Sequence, residues 1–135
     1  MYHSDQGVDV NYKKAIEWYK KAAEQGYEGA QINLGVMYEN GHGVDVNYKK
    51  AIEWYKKAAE QGNVGAQYNL GVMYEVGLGV GQSDSMAMRW YAKAAAQNNV
   101  DAQARIGGIL AKRRASASAS DAADAQGHAQ GKGAR

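Results

Sequence analysis

The feature that most constrains this chain is a duplicated segment. Residues 7–26 and 43–62 share one twenty-residue sequence, GVDVNYKKAIEWYKKAAEQG, displaced by 36 positions. The same displacement carries residues 33–39 onto 69–75, and a more divergent copy follows around Trp90 and Tyr91. A fixed period of this length is typical of helical repeat proteins, in which similar units stack along one axis. We therefore expect an all-α fold built from 36-residue helix-turn-helix units.

Each unit contains two predicted helices, which we call helix A and helix B. Helix A is predicted near residues 28–40 and 64–76, where Leu34, Met37 and Tyr38 and their copies recur at helical spacing. Helix B is predicted near residues 48–61, with an apolar stripe formed by Ala51, Trp54, Tyr55, Ala58 and Ala59. The recurring tryptophans, Trp18, Trp54 and Trp90, are interpreted as structural.

The helix ends carry residues suited to capping. Residues that tolerate a left-handed backbone follow the helices at Gly41, Gly77 and Asn98. Side chains that can accept a bond from a helix N-terminus precede helix B at Asn11, Asn47 and Ser83. Inside helix A, Gly35, Gly71 and Gly107 each lower helix propensity by about 1 kcal/mol relative to alanine. We expect these three glycines to give helix B room for close approach.

The period divides the chain into units that start and end partway through a repeat. The predicted solenoid covers residues 1–111, with a partial unit at 1–26, full units at 27–62 and 63–98, and a terminal helix at 99–111. Residues 112–135 are rich in Ala, Ser and Gly and lack a periodic apolar face, so we expect a disordered tail. The first helix B would expose Ala15, Ile16, Tyr19 and Ala22. We therefore expect either an earlier start of the reading frame or coverage of this face by another chain. Self-association through this helix is a further expectation.

Composition and charge exclude several classes. The chain has no cysteine, so disulfides and thiolate metal sites are absent. Residues 1–111 carry 11 Lys and Arg against 12 Asp and Glu, so no basic footprint for nucleic acid exists there. No apolar run is long enough for membrane insertion, and no signal peptide is present, so we predict a cytoplasmic protein if the chain is complete. The histidines lack partners at metal-ligand spacing, and we predict no metal, no cofactor and no catalytic residue.

The repeat resembles a known family. Its pattern reads Ala-x3-Leu-Gly-x2-Tyr-x2-Gly-x-Gly-Val, followed by Lys-Ala-x2-Trp-x2-Lys-Ala-Ala-x2-Gly. The matching residues are Ala30, Leu34, Gly35, Tyr38, Gly41, Gly43, Val44, Lys50, Ala51, Trp54, Lys57, Ala58, Ala59 and Gly62. This pattern is similar to the Sel-one-like repeat, a relative of the tetratricopeptide repeat. The resemblance implies a right-handed α/α superhelical solenoid that acts as a scaffold or adaptor for another protein.

The resemblance also implies a concave groove lined mainly by helix A. By analogy with tetratricopeptide proteins, the predicted partner-binding residues are Ile32, Asn33, Val36, Glu39, Tyr68, Asn69, Val72, Glu75 and Arg105. Asn33, Asn69 and Arg105 occupy one repeat position and could together grip a peptide carboxylate or backbone. The alternative is that these asparagines only bond between units.

Two other functions stay open at this point. Some cysteine-rich relatives are described as β-lactamases, which would make this chain a hydrolase, although it lacks their cysteines. The chain could also be an inactive fragment of a longer repeat protein. Our prediction is a non-enzymatic module that binds a partner peptide or helix.

Overall fold

The structure is a computed structural model that describes residues 4–133, with side chains described for residues 11–119. Six helices follow one another without a strand in residues 4–133. They are α1 (Ser4–Glu24), α2 (Glu28–Asn40), α3 (Tyr48–Glu60), α4 (Val64–Val76), α5 (Asp84–Ala95) and α6 (Val100–Gly133). Each helix packs against the next, which is the arrangement of a solenoid. The predicted all-α repeat fold is confirmed.

Helices α2, α4 and the start of α6 are the A helices, and α1, α3 and α5 are the B helices. The glycines inside helix A allow helix B to approach closely, as predicted. A β-carbon at Gly35 would fall on the ring of Tyr55, and one at Gly71 would fall on the ring of Tyr91. Both tyrosines are fully buried. Gly107 differs, since a β-carbon there would meet nothing within 4 Å.

The predicted helix caps hold at all but one position. Gly41, Gly77 and Asn98 have φ of 73°, 86° and 69°, the left-handed conformation that was expected. The side chains of Asn47 and Ser83 accept hydrogen bonds from the backbone N–H groups of Lys50 and Met86. The predicted cap at Asn11 is wrong, because α1 begins at Ser4 and runs through this residue. In the second unit, a 2.8 Å hydrogen bond from the Asn47 N–H to the Tyr38 carbonyl of the preceding helix A stabilises the turn between the two helices.

The first helix is better covered than the sequence suggested. Ile16 is only 6% exposed, and Ala15, Tyr19 and Ala22 are partly buried, because α2 packs over this side of α1. Among the large apolar side chains described in α1, the exposed one is instead Trp18, at 74%. Its counterpart Trp90 is 9% exposed.

The C-terminal segment differs from the predicted disordered tail. Helix α6 does not end near residue 111 but continues to Gly133. Residues 109–126 contain no Gly or Pro and many alanines, the best helix formers, so a helix forms there without an apolar face. Lys112 also holds the helix to the start of α5 through a 3.1 Å ion pair with Asp84. Residues 112–119 remain exposed to solvent.

A row of glutamines connects the units. Gln67, which is buried, donates to the Ala59 carbonyl at 3.2 Å and accepts from Gln97 at 3.0 Å. Gln97 also donates to the Gly62 carbonyl at 2.8 Å. One unit earlier, Gln31 and Gln61 make the same bonds to the carbonyls of Ala23 and Gly26. This polar seam satisfies the buried amides and fixes the register between units.

Candidate functional site on the helix A surface

The predicted groove residues lie on the A helices, at equivalent places in successive units. Asn33 is exposed, and Asn69 is partly buried. The apolar members, Ile32, Val36, Tyr68 and Val72, are partly buried, since they pack against the two hydrophobic clusters of the core while keeping part of their surface in solvent. The helix A surface therefore presents a half-exposed apolar strip.

The two predicted carboxylates have a partner within the fold. Glu39 accepts a 2.7 Å hydrogen bond from the hydroxyl of Tyr55, and Glu75 accepts one of the same length from Tyr91. Burial of the phenol and the bond to the carboxylate raise the pKa of both tyrosines well above the usual value. The glutamates thus connect helix A to helix B, and only their partly exposed edge is open to a partner.

Arg105 closes the helix A surface at its C-terminal end. Its Nη1 lies 3.5 Å from Oε1 of Glu75, and the rings of Tyr68 and Tyr91 lie 5.7 Å apart beside it. The nearby Tyr68 hydroxyl raises the pKa of the Arg105 guanidinium, which stays charged. Arg105 is exposed, so it has donors left for a carboxylate while Glu75 orients it. The three residues therefore differ in exposure and in their bonding partners. Binding of one peptide by Asn33, Asn69 and Arg105 together stays a prediction.

Sequence reasoning missed a second surface, formed by successive B helices. A cavity of about 250 Å³ lies between α1 and α3, and one of about 350 Å³ lies between α3 and α5. The first is lined by Lys20, Glu24, Tyr38, Lys50, Glu53, Trp54 and Lys57. The second is lined by Lys56, Glu60, Met86, Arg89, Trp90 and Lys93. We call these two cavities the B grooves.

The B grooves are one site repeated at a 36-residue step. Each has a tryptophan in its wall, with a lysine ammonium 5.6 Å from the ring centroid, Lys57 over Trp54 and Lys93 over Trp90. The recurrence of Trp and Lys at this spacing is the sequence feature from which the B grooves could have been predicted. Basic side chains outnumber acidic ones in both grooves, so an acidic segment would suit them.

Two other features bear on the kind of site. Within residues 4–133, no helix combines the length and the apolar character that a bilayer crossing requires. Among residues 11–119, whose side chains are described, no three side chains of His, Asp or Glu gather as metal ligands would.

Fold and surface together define a helical repeat protein of the α/α solenoid class. The profile of the Sel1 repeat matches residues 1–27, 29–63 and 64–99. The chain therefore belongs to the Sel1 repeat family, whose members are generally protein-interaction modules.

Solved structures agree with this assignment. The chain is 44% identical to c5321, a protective antigen of uropathogenic Escherichia coli with an SLR fold, at a TM-score of 0.74 over 75% of this chain and 22% of that one. It is 42% identical to a Sel1 repeat protein from Oxalobacter formigenes, at a TM-score of 0.68 over 70% of this chain and 39% of that one. The chain thus spans well under half the length of both proteins.

A third structure is the cysteine rich protein B of Helicobacter pylori. It is 27% identical, with a TM-score of 0.64 over 67% of this chain and 68% of that one. No curated protein matches the sequence. None of these similarities supports the hydrolase alternative.

Proposed function

We propose that this chain is a non-enzymatic scaffold module that binds an extended segment or a helix of a partner protein along the helix A surface. The observation that supports the proposal best is the half-exposed apolar strip, with Ile32 and Val36 in one unit and Tyr68 and Val72 in the next. Partly exposed apolar side chains at equivalent positions of successive units are the usual anchors for a bound peptide.

Polar groups flank the strip and would set the direction of the bound segment. Asn33 and Asn69 can bond to an extended backbone, and Arg105 can take a carboxylate at one end. The guanidinium is held in place by Glu75, which lowers the entropy lost when it binds.

The experiment is a selection of peptides from a random display library against the purified chain, followed by affinity measurements with variants. Val72→Arg places a charge in the middle of the strip, and we expect it to weaken the selected peptides by more than about tenfold. Glu53→Arg is the matched control, since it adds an arginine in the first B groove, where the second groove has Arg89. Thermal unfolding followed by circular dichroism checks that both variants fold.

The opposite pattern would overturn the proposal. If Glu53→Arg abolishes binding while Val72→Arg leaves it unchanged, the partner binds in the B grooves. If Arg105→Asn, which restores the residue type of the earlier units, changes nothing while Val72→Arg does, the strip binds without the charged end.

A further inference from the structure

The first and last helices that the structure describes, α1 and α6, match the two halves of one A/B helix pair. Helix α1 is a B helix that no A helix precedes in residues 4–133, and α6 is an A helix that no B helix follows there. We propose that copies of this chain associate head to tail, with α1 of one copy packing on α6 of the next as α3 packs on α2 and α5 on α4. The interface would continue a contact that the chain already makes twice within itself. This inference is independent of the proposed partner-binding function.

The first matching feature is a slot for an aromatic ring. Tyr55 and Tyr91 lie against Gly35 and Gly71 and are fully buried. The same position in α6 is Gly107, where a β-carbon would meet nothing within 4 Å. The same position in α1 is Tyr19, which is only partly buried. The empty slot at one end therefore fits the ring at the other.

The second feature is the polar seam. Within the chain, Gln97 donates to the side chain of Gln67 and to the Gly62 carbonyl, 30 and 35 residues earlier. At the C-terminal end, Gln103 and Asn98 stand at the positions of these two acceptors. At the N-terminal end, Gln25 stands at the position of the donor, and both Gln25 and Gln103 are exposed. A second copy would supply the missing half of the seam.

The third feature is Trp18. Its counterparts Trp54 and Trp90 are partly buried and 9% exposed, respectively, and Trp90 lines a B groove beside the side chains of Lys56 and Glu60 on α3. The positions equivalent to Lys56 and Glu60 are Ala92 on α5 and Ala96, which caps the end of that helix, and both are exposed. An indole from another copy would therefore meet two methyl groups where the internal units have charged side chains. This accounts for a large aromatic ring that is 74% exposed in one copy.

The lengths of the end helices agree with this pairing. Helices α1 and α6 have 21 and 34 residues, whereas the inner helices have 12 or 13. In an antiparallel A/B pair, the start of helix B lies beside the end of helix A. The additional turns of α1 and α6 would therefore run along each other, because two helices from different chains need no connecting turn.

A missing hydrogen bond makes the association weaker than the internal packing. Ala111 stands where Glu39 and Glu75 accept hydrogen bonds from the buried tyrosines, so the hydroxyl of Tyr19 would keep a water partner. The contact joins different surfaces of the two copies, so it would produce open chains whose length rises with concentration.

Sedimentation velocity over a wide range of protein concentrations tests the proposal. We expect the wild-type weight-average mass to rise with concentration. Gly107→Leu fills the slot and should leave a monomer, whereas Gly108→Leu, the matched control one position along, should associate like wild type. A β-carbon added at either glycine would meet no atom within 4 Å, so we expect both variants to keep the fold. Trp18→Glu, at an exposed position, should also leave a monomer.

Mixing the two defective variants gives the decisive result. Gly107→Leu retains an intact N-terminal end and Trp18→Glu retains an intact C-terminal end, so an equimolar mixture should form a one-to-one dimer and nothing larger. A wild-type monomer at all concentrations would overturn the proposal and point to another segment or protein as the occupant. Loss of association in Trp18→Glu but not in Gly107→Leu would overturn it in favour of a symmetric contact between two α1 helices.

Discussion

The hydroxyl of Tyr55 donates a 2.7 Å hydrogen bond to Glu39, across the hairpin that α2 and α3 form. We expect Tyr55→Phe to lower the free energy of unfolding by about 1 to 2 kcal/mol, because a bond to a partly buried carboxylate is lost while the ring stays in place. Urea denaturation gives the value. Tyr48→Phe is the control, since that side chain is 37% exposed and should change stability little. Equal effects of both substitutions would show that the bond is not stabilising.

Alkaline pH should destabilise the fold through the same tyrosines. Burial, followed by the bonds to Glu39 and Glu75, raises the pKa of Tyr55 and Tyr91 in the folded state above the value of 10.0 found in the absence of the fold. The folded state then binds these protons more tightly, so their stabilising effect is complete below pH 10.0 and is lost as the pH rises above it. Denaturation at a series of pH values measures the slope. The double variant Tyr55→Phe, Tyr91→Phe should show a shallower alkaline loss, and an unchanged slope would contradict the assignment.

Alanine should have opposite effects at two glycines of the same repeat position. Gly71→Ala places a methyl group on the buried ring of Tyr91, and we expect a loss of about 1 to 3 kcal/mol. Gly107→Ala meets no atom and should gain up to about 1 kcal/mol from helix propensity. Thermal unfolding at low protein concentration compares them. A gain at both positions would show that the backbone of α4 shifts freely away from Tyr91.

The polar seam gives another paired test. Gln67→Leu removes two hydrogen bonds in a buried setting, the one to the Ala59 carbonyl and the one from Gln97, so we expect a loss of about 1 to 2 kcal/mol. Gln103→Leu is the control, since Gln103 is exposed and makes one long bond of 3.4 Å. Chemical denaturation of both variants decides. Similar losses would mean that burial of the seam is energetically unimportant.

Much of the fold could be predicted because packing and capping repeat with the sequence. Helices α2 and α4 lie at residues 28–40 and 64–76, where apolar spacing and the glycine caps placed them. The same rule failed at the N-terminus. Residues 7–11 and 43–47 have one sequence, GVDVN, yet the first copy lies in α1 and the second forms a turn. The turn depends on the bond from Asn47 to Tyr38 of a preceding helix A, which local sequence does not encode.

The candidate site was only partly predictable. Helix periodicity placed Ile32, Val36, Tyr68 and Val72 on one surface, but it could not show that Glu39 and Glu75 are engaged by tyrosines of helix B, since that contact depends on how closely the helices approach. The B grooves and the seam escaped for a related reason. Their residues lie about one unit apart in sequence and meet only when the units stack.

The spacing of the seam has an evolutionary consequence. Gln61 bonds to Gly26 and Gln97 bonds to Gly62 at one sequence separation of 35 residues. Inserting or deleting one whole unit leaves every such bond with a correct partner, whereas any other change of length disrupts the bonds that span it. Residues 7–26 and 43–62 are identical, so a crossing-over in register between the segments that encode them would add or remove one whole unit. The length of the protein can therefore change by whole 36-residue units without loss of the bonds between units.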